Sequence, residues 1–361
     1  MGDQVYFGAG VLADKETEVS EDGQVAFPDE WIAAVPKIEL HVHHVGATSA
    51  ATLADLAVRH PEAGVPTDPA QLEEFYRFTD FDHFLRVYAA VSRLLSTAED
   101  VYRLTVGNLG DLAAQQVRYA EVTVTPNGIL SAGVPRDGLV EALGAARAFA
   151  AREWGMTVNW ILDIPGHTGE PAEVVMDLCE RRQPEGLVAL GLGGPETPRA
   201  DFAPYFARAR ALGLGSVPHA GEAAGPESVR AAVDVLKADR IGHGIRAVED
   251  PGLLVELADA GIHLEVSPTS NIRTRIVPTL ADHPLPSLIG AGISVSINSD
   301  DPPMFGTTLT RELQITAQLL GSEQVPQLLR NAVNASYATE DLKRSYLAEL
   351  AAFEAKALTK R

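Results

Sequence analysis

The chain is predicted to fold as a (β/α)8 TIM barrel, with a helical insertion after the first strand and extra helices at its C-terminal end. Three observations carry this expectation. Eight short apolar stretches of strand character alternate with helical stretches between Ile38 and Asn298. Glycines follow several of the helical stretches, as at Gly213, Gly261 and Gly292, where a helix commonly ends. Histidines and carboxylates recur at the C-terminal ends of the strand segments, where such barrels collect their reactive groups.

The first 30 residues hold an acidic run from Asp14 to Asp22 and a loose G-x-G-x-x-A at Gly8-Ala9-Gly10-Val11-Leu12-Ala13. No convincing strand precedes that motif and no βαβ unit surrounds it, so it is read as chance, and residues 1–30 as an irregular arm. Residues 31–361 are expected to form one domain. Ile38–Val42 is its first strand. Residues 48–117 follow a helical pattern broken at Pro61, Pro66 and Pro69. This stretch concentrates phenylalanine, with Phe75, Phe78, Phe81 and Phe84 ahead of Tyr88. It reads either as helical core or as an apolar lid, and the lid makes Phe84 and Tyr88 candidate substrate contacts. The remaining strands are expected at Tyr119–Thr125, Thr157–Asp163, Leu187–Leu190, Gly215–His219, Arg240–Gly242, Ile262–Val266 and Ser294–Asn298. Helices are expected between them at Asp137–Glu153, Ala172–Arg182, Phe202–Leu212, Pro226–Lys237, Pro251–Ala260 and Leu280–Ala291. Three more follow, at Arg311–Leu320, Val325–Ala335 and Ser345–Lys360.

A net charge of −20 repels nucleic-acid backbones and anionic membranes, so small neutral or cationic molecules, or other proteins, are the expected partners. Cys179 is the single cysteine, which excludes an intrachain disulfide and any C-x-x-C zinc site. Met1-Gly2-Asp3-Gln4-Val5 opens an acidic segment with no basic start or apolar core of a signal peptide. No apolar run reaches the ~18 residues of a membrane span. The chain is therefore expected in the cytoplasm, with no nucleic-acid or membrane partner. Its oligomeric state is not fixed by the sequence.

His41 and His43 lie two apart on the first strand, so their side chains share a face. Alone the pair says little. Three further groups stand at strand ends: His219-Ala220-Gly221-Glu222, Gly242-His243-Gly244, and Asn298-Ser299-Asp300-Asp301-Pro302. Together they gather histidines and carboxylates on one rim, a donor set suited to zinc and to other first-row divalent ions. None of the six lysines ends a middle strand, so no carbamylated lysine is available to bridge two metals, and one ion per chain is expected.

These motifs, with Pro36-Lys37-Ile38-Glu39-Leu40-His41-Val42-His43, Arg240-Ile241-Gly242-His243-Gly244 and Ser267-Pro268-Thr269-Ser270-Asn271, resemble in order and spacing those of the adenosine deaminase family, from about Trp31 to Tyr337. The resemblance implies the same barrel fold. It also implies zinc held by His41, His43, His219 and Asp300, the last of these also among the catalytic residues. Glu222 would protonate purine N1, His243 would orient the attacking hydroxide, Asp301 would bond N7, and the Gly194 backbone would meet N3. The implied reaction is hydrolytic deamination of a 6-aminopurine nucleoside, by default adenosine or 2′-deoxyadenosine.

One position departs from the family. Members typically carry an acidic residue two places after the second histidine, where it meets the ribose 5′-hydroxyl. Here that place is Val45, which cannot accept a hydrogen bond, so the 5′ end of the substrate is expected to differ. Certain bacterial relatives deaminate 6-amino-6-deoxyfutalosine, an adenosine analogue with a bulky carboxylated 5′ group. Val45 with a nearby cation from His44, His167, Arg86 or Arg273 would suit it. Free adenine as substrate, or a silent nucleoside-binding homologue, are the further alternatives. His44 should face away from the metal, and His60, His83, His263 and His283 are read as structural or exposed.

Overall fold

The computed structural model describes residues 26–79 and 81–359. The Gly8-Ala9-Gly10 motif and the acidic run lie outside the described residues. Eight strands, each parallel to the next, form one sheet in chain order: β1 (Lys37–His43), β2 (Val117–Val124), β3 (Thr157–Ile164), β4 (Leu187–Leu192), β5 (Gly215–Ala220), β6 (Arg240–His243), β7 (His263–Val266) and β8 (Ser294–Ile297). Parallel neighbours need a crossover, and helices supply it on the outside of the sheet, burying apolar residues from both. The expected strands are all present, with ends shifted by at most two residues.

Closure is made at the top. Val42 and Asp300 form a β-bridge, in which Asp300 N–H donates to the His41 carbonyl at 2.9 Å and His43 N–H to the Asp300 carbonyl at 2.9 Å. Below this, side chains replace a ladder between β8 and β1. The Leu40 N–H donates to Asn298 Oδ1 at 3.2 Å, and Ser299 Oγ donates to Glu39 Oε2 at 2.7 Å.

The insertion between β1 and β2 folds as four helices, Ala50–Arg59, Pro69–Phe75, Phe81–Ser92 and Ala98–Ala114, with a 3-10 turn at Pro61–Ala63. Ser49 and Thr97 cap the first and last of these. Three expectations need correction. The stretch Leu280–Ala291 is not one helix but a 3-10 turn, Leu280–Asp282, and a helix, Leu285–Gly290, because Pro284 interrupts the backbone bonding. The helix expected from Phe202 starts as a 3-10 turn, Arg199–Phe202, before Ala203–Ala211. Asp29–Ala34 is helical, so the last two residues assigned to the irregular arm belong to a helix. Short helices Pro126–Ser131, Pro268–Arg273 and Pro302–Phe305 went unforeseen, being too brief to show a period. No described helix is long and apolar enough to cross a membrane.

The barrel floor is charged, buried and paired. Arg240 is 2% exposed, donates Nε to Glu265 Oε1 at 2.6 Å and also bonds Glu121. Glu121 Oε1 accepts from the Tyr119 hydroxyl and from the Tyr337 N–H, each at 2.6 Å. The Tyr337 ring lies 4.5 Å from the Arg240 guanidinium carbon, so the chain returning after β8 seals this end.

Candidate active site

The polar ends of β1, β5, β6 and β8 converge at the opposite end of the barrel. His43 Nε2 lies 3.2 Å from His219 Nε2 and 3.2 Å from Asp300 Oδ1, and His41 Nε2 lies 3.5 Å from the same carboxylate oxygen. Two overlapping sets, His41, His219 and His243, and His41, His43 and Asp300, each bring their ligand atoms within 4.8 Å of one another. Gly242 makes this closeness possible: a Cβ there would stand 2.8 Å from His41 Cε1 and 3.3 Å from His219 Cγ.

His41 is oriented from below. Its Nδ1 meets Glu265 Oε2 at 3.0 Å, which leaves Nε2 buried and without a hydrogen-bond partner. Burial opposes ionisation of Glu265, but the Arg240 charge and the His41 contact overcome it and hold the carboxyl at about 2. The donor set therefore fits a cation: imidazole nitrogens of His43 and His219 face one another at 3.2 Å, the buried His41 Nε2 has no hydrogen-bond partner, and the carboxylate beside them is drawn well below its usual range, against its burial, by His41 and His43.

His243 is held from the side. Asn271 Nδ2 donates to His243 Nδ1 at 3.3 Å, and Asn271 Oδ1 faces His283 Nε2 at 3.2 Å. His243 Nε2 is thus the proton-bearing nitrogen, 3.7 Å from Glu222 Oε2 and 3.8 Å from Asp300 Oδ2. Burial lowers His243 to about 4, so the ring is neutral at pH 7. His243 and Asp300 both adopt left-handed backbone, φ 64° each, and turn their side chains into the mouth at a cost of about 1–3 kcal/mol apiece.

Glu222 sits on a loop that Glu196 clamps. The Glu196 carboxylate accepts from the Gly221, Ala223 and Ala224 N–H groups at 2.5, 2.8 and 2.7 Å, and from Ser228 Oγ at 2.5 Å. Burial, then the Asp300 and Glu196 charges, push Glu222 up to about 8. Asp301 is raised to about 7 by burial and by Asp300, and its Oδ1 is buried without a partner. That oxygen occupies the space a side chain at residue 46 would fill, since a Cβ on Gly46 would fall 1.4 Å from it.

A cavity of about 730 Å³ opens from this cluster and is lined by His43, His219, Glu222, His243, Asp300 and Asp301. Gly194, Phe84 and Tyr88, three of the expected substrate contacts, also line it. Phe84 stacks on Phe305, ring centroids 5.3 Å apart, so the insertion rests on the segment just after Asp301.

Val45, expected against the substrate, is 2% exposed, packs in the apolar core and is not a lining residue. β1 ends at His43 and residues 44–47 form a turn, so strand alternation no longer points side chains into the barrel there. None of the four expected cations lines the cavity either. His44 is buried with Nε2 on Thr105 Oγ1 at 2.7 Å, clear of the cluster as expected, while Arg86, His167 and Arg273 are exposed elsewhere. The sequence reading missed Arg93 and Asp163, which line the cavity, and the supports Glu196, Glu265, Asn271 and His283. Burial raises Asp163 to about 6 and its Oδ1 has no partner. Its position at the end of β3 was the signal available for it.

Known proteins are similar to this chain in sequence and shape. The aminodeoxyfutalosine deaminase of Streptomyces avermitilis is 49% identical over 332 residues, covering 90% of this chain and 93% of that protein. The adenine deaminase of Albidiferax ferrireducens is 37% identical over 328 residues, covering 89% and 94%. A crystal structure of an amidohydrolase from Burkholderia ambifaria with bound Zn superposes with a TM-score of 0.83 at 25% identity, covering 96% of this chain and 98% of that one. The sequence model described as adenosine deaminase matches residues 36–353. With the barrel, the histidine–carboxylate mouth and this match in agreement, the chain belongs to the adenosine deaminase family and is a deaminating aminohydrolase.

Proposed function

We propose that the protein is a zinc-dependent hydrolase that deaminates a 6-aminopurine nucleoside with an extended 5′ substituent, of the 6-amino-6-deoxyfutalosine kind, releasing the 6-oxopurine and ammonia. The observation that carries this reading is the cavity, which runs on beyond the cluster along an apolar wall. Adenosine, the default expectation, comes second because it would leave that extension to water. The 49% identity to an aminodeoxyfutalosine deaminase adds support.

In this reading His41, His43, His219 and Asp300 hold one zinc ion. An ion held there would supply Lewis-acid chemistry, which can bring the pKa of water from 15.7 to about 7 and so make hydroxide available for C6 at neutral pH. Glu222, neutral at pH 7 with its value near 8, donates a proton to N1 as the oxygen adds. His243 offers its Nε2 proton to the attacking oxygen, with Asn271 fixing the tautomer. N7 accepts hydrogen bonds only, so Asp301 bonds it in the protonated form that burial favours. The Gly194 N–H serves N3. Phe84 and Tyr88 exclude water from the ring. The amino group takes up the nucleophile's proton and leaves as ammonia.

Free adenine is the third reading, favoured by the 37% relative. A substrate panel on the metal-loaded enzyme tests all three: aminodeoxyfutalosine, 5′-deoxyadenosine, adenosine and adenine, followed by ammonia release. The expected order of kcat/KM has aminodeoxyfutalosine first. Adenine first, or no turnover of any nucleoside, would overturn the proposal.

A further inference from the structure

The inner face of the helix Phe81–Ser92 supplies Phe84, Leu85, Tyr88 and Ala89 to the cavity wall, and the next residue after it, Arg93, extends the same face. These positions recur at helical spacing, so they form one stripe running away from the catalytic loop. Its near end is fixed, because Phe84 stacks on Phe305 with ring centroids 5.3 Å apart. Arg93 follows Tyr88 by five residues, about 7 Å further along the axis at 1.5 Å per residue. The Arg93 N–H still donates to the Ala89 carbonyl at 3.2 Å, so the helical turn continues to it.

Arg93 is the one lysine or arginine among the described residues lining this cavity, and its guanidinium takes part in no described hydrogen bond or ion pair. Elsewhere on this acidic chain arginines find carboxylates, as Arg59, Arg103, Arg147, Arg208 and Arg230 do. Glu62 is the acidic group on the same outer wall. It is 73% exposed and lies 3.3 Å from His60 Nδ1, and it forms no ion pair with Arg93. The other lining carboxylates, Asp163, Glu222, Asp300 and Asp301, sit at the catalytic end. An anion entering so acidic a cavity is repelled unless its charge is answered where it comes to rest.

We infer that the outer end of the cavity is a carboxylate subsite, in which Arg93 binds an acid group at the tip of an apolar 5′ substituent. This rests on the nucleoside reading above and adds to it the residue that meets the acid group of such a substituent. A guanidinium fork takes a carboxylate through two parallel hydrogen bonds, and the apolar stripe between Phe84 and Ala89 takes the uncharged body of the substituent. A 5′-phosphate shares the negative charge but is too short to use that stripe.

The test compares four nucleosides on the zinc-loaded enzyme: adenosine, adenosine with an aryl ketone at the 5′ end, the same compound with a carboxylate on the aryl ring, and AMP. In Arg93→Gln the ratio of kcat/KM for the carboxylated over the uncharged aryl substrate is expected to fall about 2- to 5-fold, the range of an ion pair made by an exposed arginine. The loss falls on KM, since the tip is far from the reacting carbon. Arg93→Lys, which keeps the charge without the fork, recovers part of it. An unchanged ratio, or an equal loss on both aryl substrates, overturns the subsite. AMP outpacing the carboxylated substrate, with its own rate falling in Arg93→Gln, assigns the arginine to phosphate and also overturns it. Failure of all four to react in the unsubstituted enzyme removes the nucleoside reading instead, and with it the subsite.

Discussion

The barrel holds two groups of buried polar side chains, one at its floor and one at its mouth, and they follow opposite rules. At the floor, Arg240 answers Glu121 and Glu265, Tyr119 and Tyr337 complete Glu121, and each charge has its counterpart. At the mouth, His41 Nε2, His219 Nδ1, Asp163 Oδ1 and Asp301 Oδ1 are as deeply buried and have no hydrogen-bond partner. An unanswered buried polar atom costs about 1–3 kcal/mol, so a cluster of them is sustained only where something else fills it. The floor serves the fold and the mouth serves a ligand. His41 joins them, since Glu265 below fixes the ring whose other nitrogen faces the mouth.

Substitutions that separate activity from stability test this contrast most strongly. Glu222→Gln keeps size and polarity but cannot act as an acid. Its kcat is expected to drop ~10²–10⁴-fold while the melting temperature and zinc content hold. A melting temperature that falls with activity would give Glu222 a structural role. The floor should behave in the reverse manner. Arg240→Met strands two buried carboxylates and should destabilise the protein by about 3–5 kcal/mol in chemical denaturation. A loss under about 1 kcal/mol would show that the floor network does not support the fold.

Zinc should act from the mouth alone. At a free concentration 100 times Kd it should stabilise the protein by about 2.7 kcal/mol, read as a rise in melting temperature. His219→Ala should remove most of that rise, and its persistence would place the ion elsewhere. The smallest effect is in pH. Glu222 is neutral below its value of about 8 and ionises above it, so kcat should fall about tenfold per unit on the alkaline side. The residual rate of Glu222→Gln should lack that limb and keep only the earlier loss set by Asp301, whose protonated form bonds N7 and whose value is about 7.

Much of the mouth was legible in the sequence because its residues carry local signals. His41 and His43 share a strand face by parity, and His219, His243 and Asp300 each end an apolar segment. The supports were not legible. Glu196 holds the Glu222 loop from a different βα unit, and His283 reaches His243 only through Asn271. Such links are made by folding and leave no spacing to read. Val45 shows the opposite failure: a family position suggested a substrate contact, but the turn after β1 buries the side chain. Arg93 looked like any other surface arginine on a helix until the cavity gave it a neighbourhood.

The seam of the barrel has a consequence for synthesis. Asp300 both bridges β8 to β1 and faces His41 and His43, and the nearby Leu40–Asn298 bond joins residues 258 positions apart. A growing chain therefore exposes its first two histidines long before their carboxylate partner is made. The mouth completes itself only when the last strand is laid against the first, and a fragment stopped before Asp300 would hold most of the side chains of the mouth but no closed barrel to aim them.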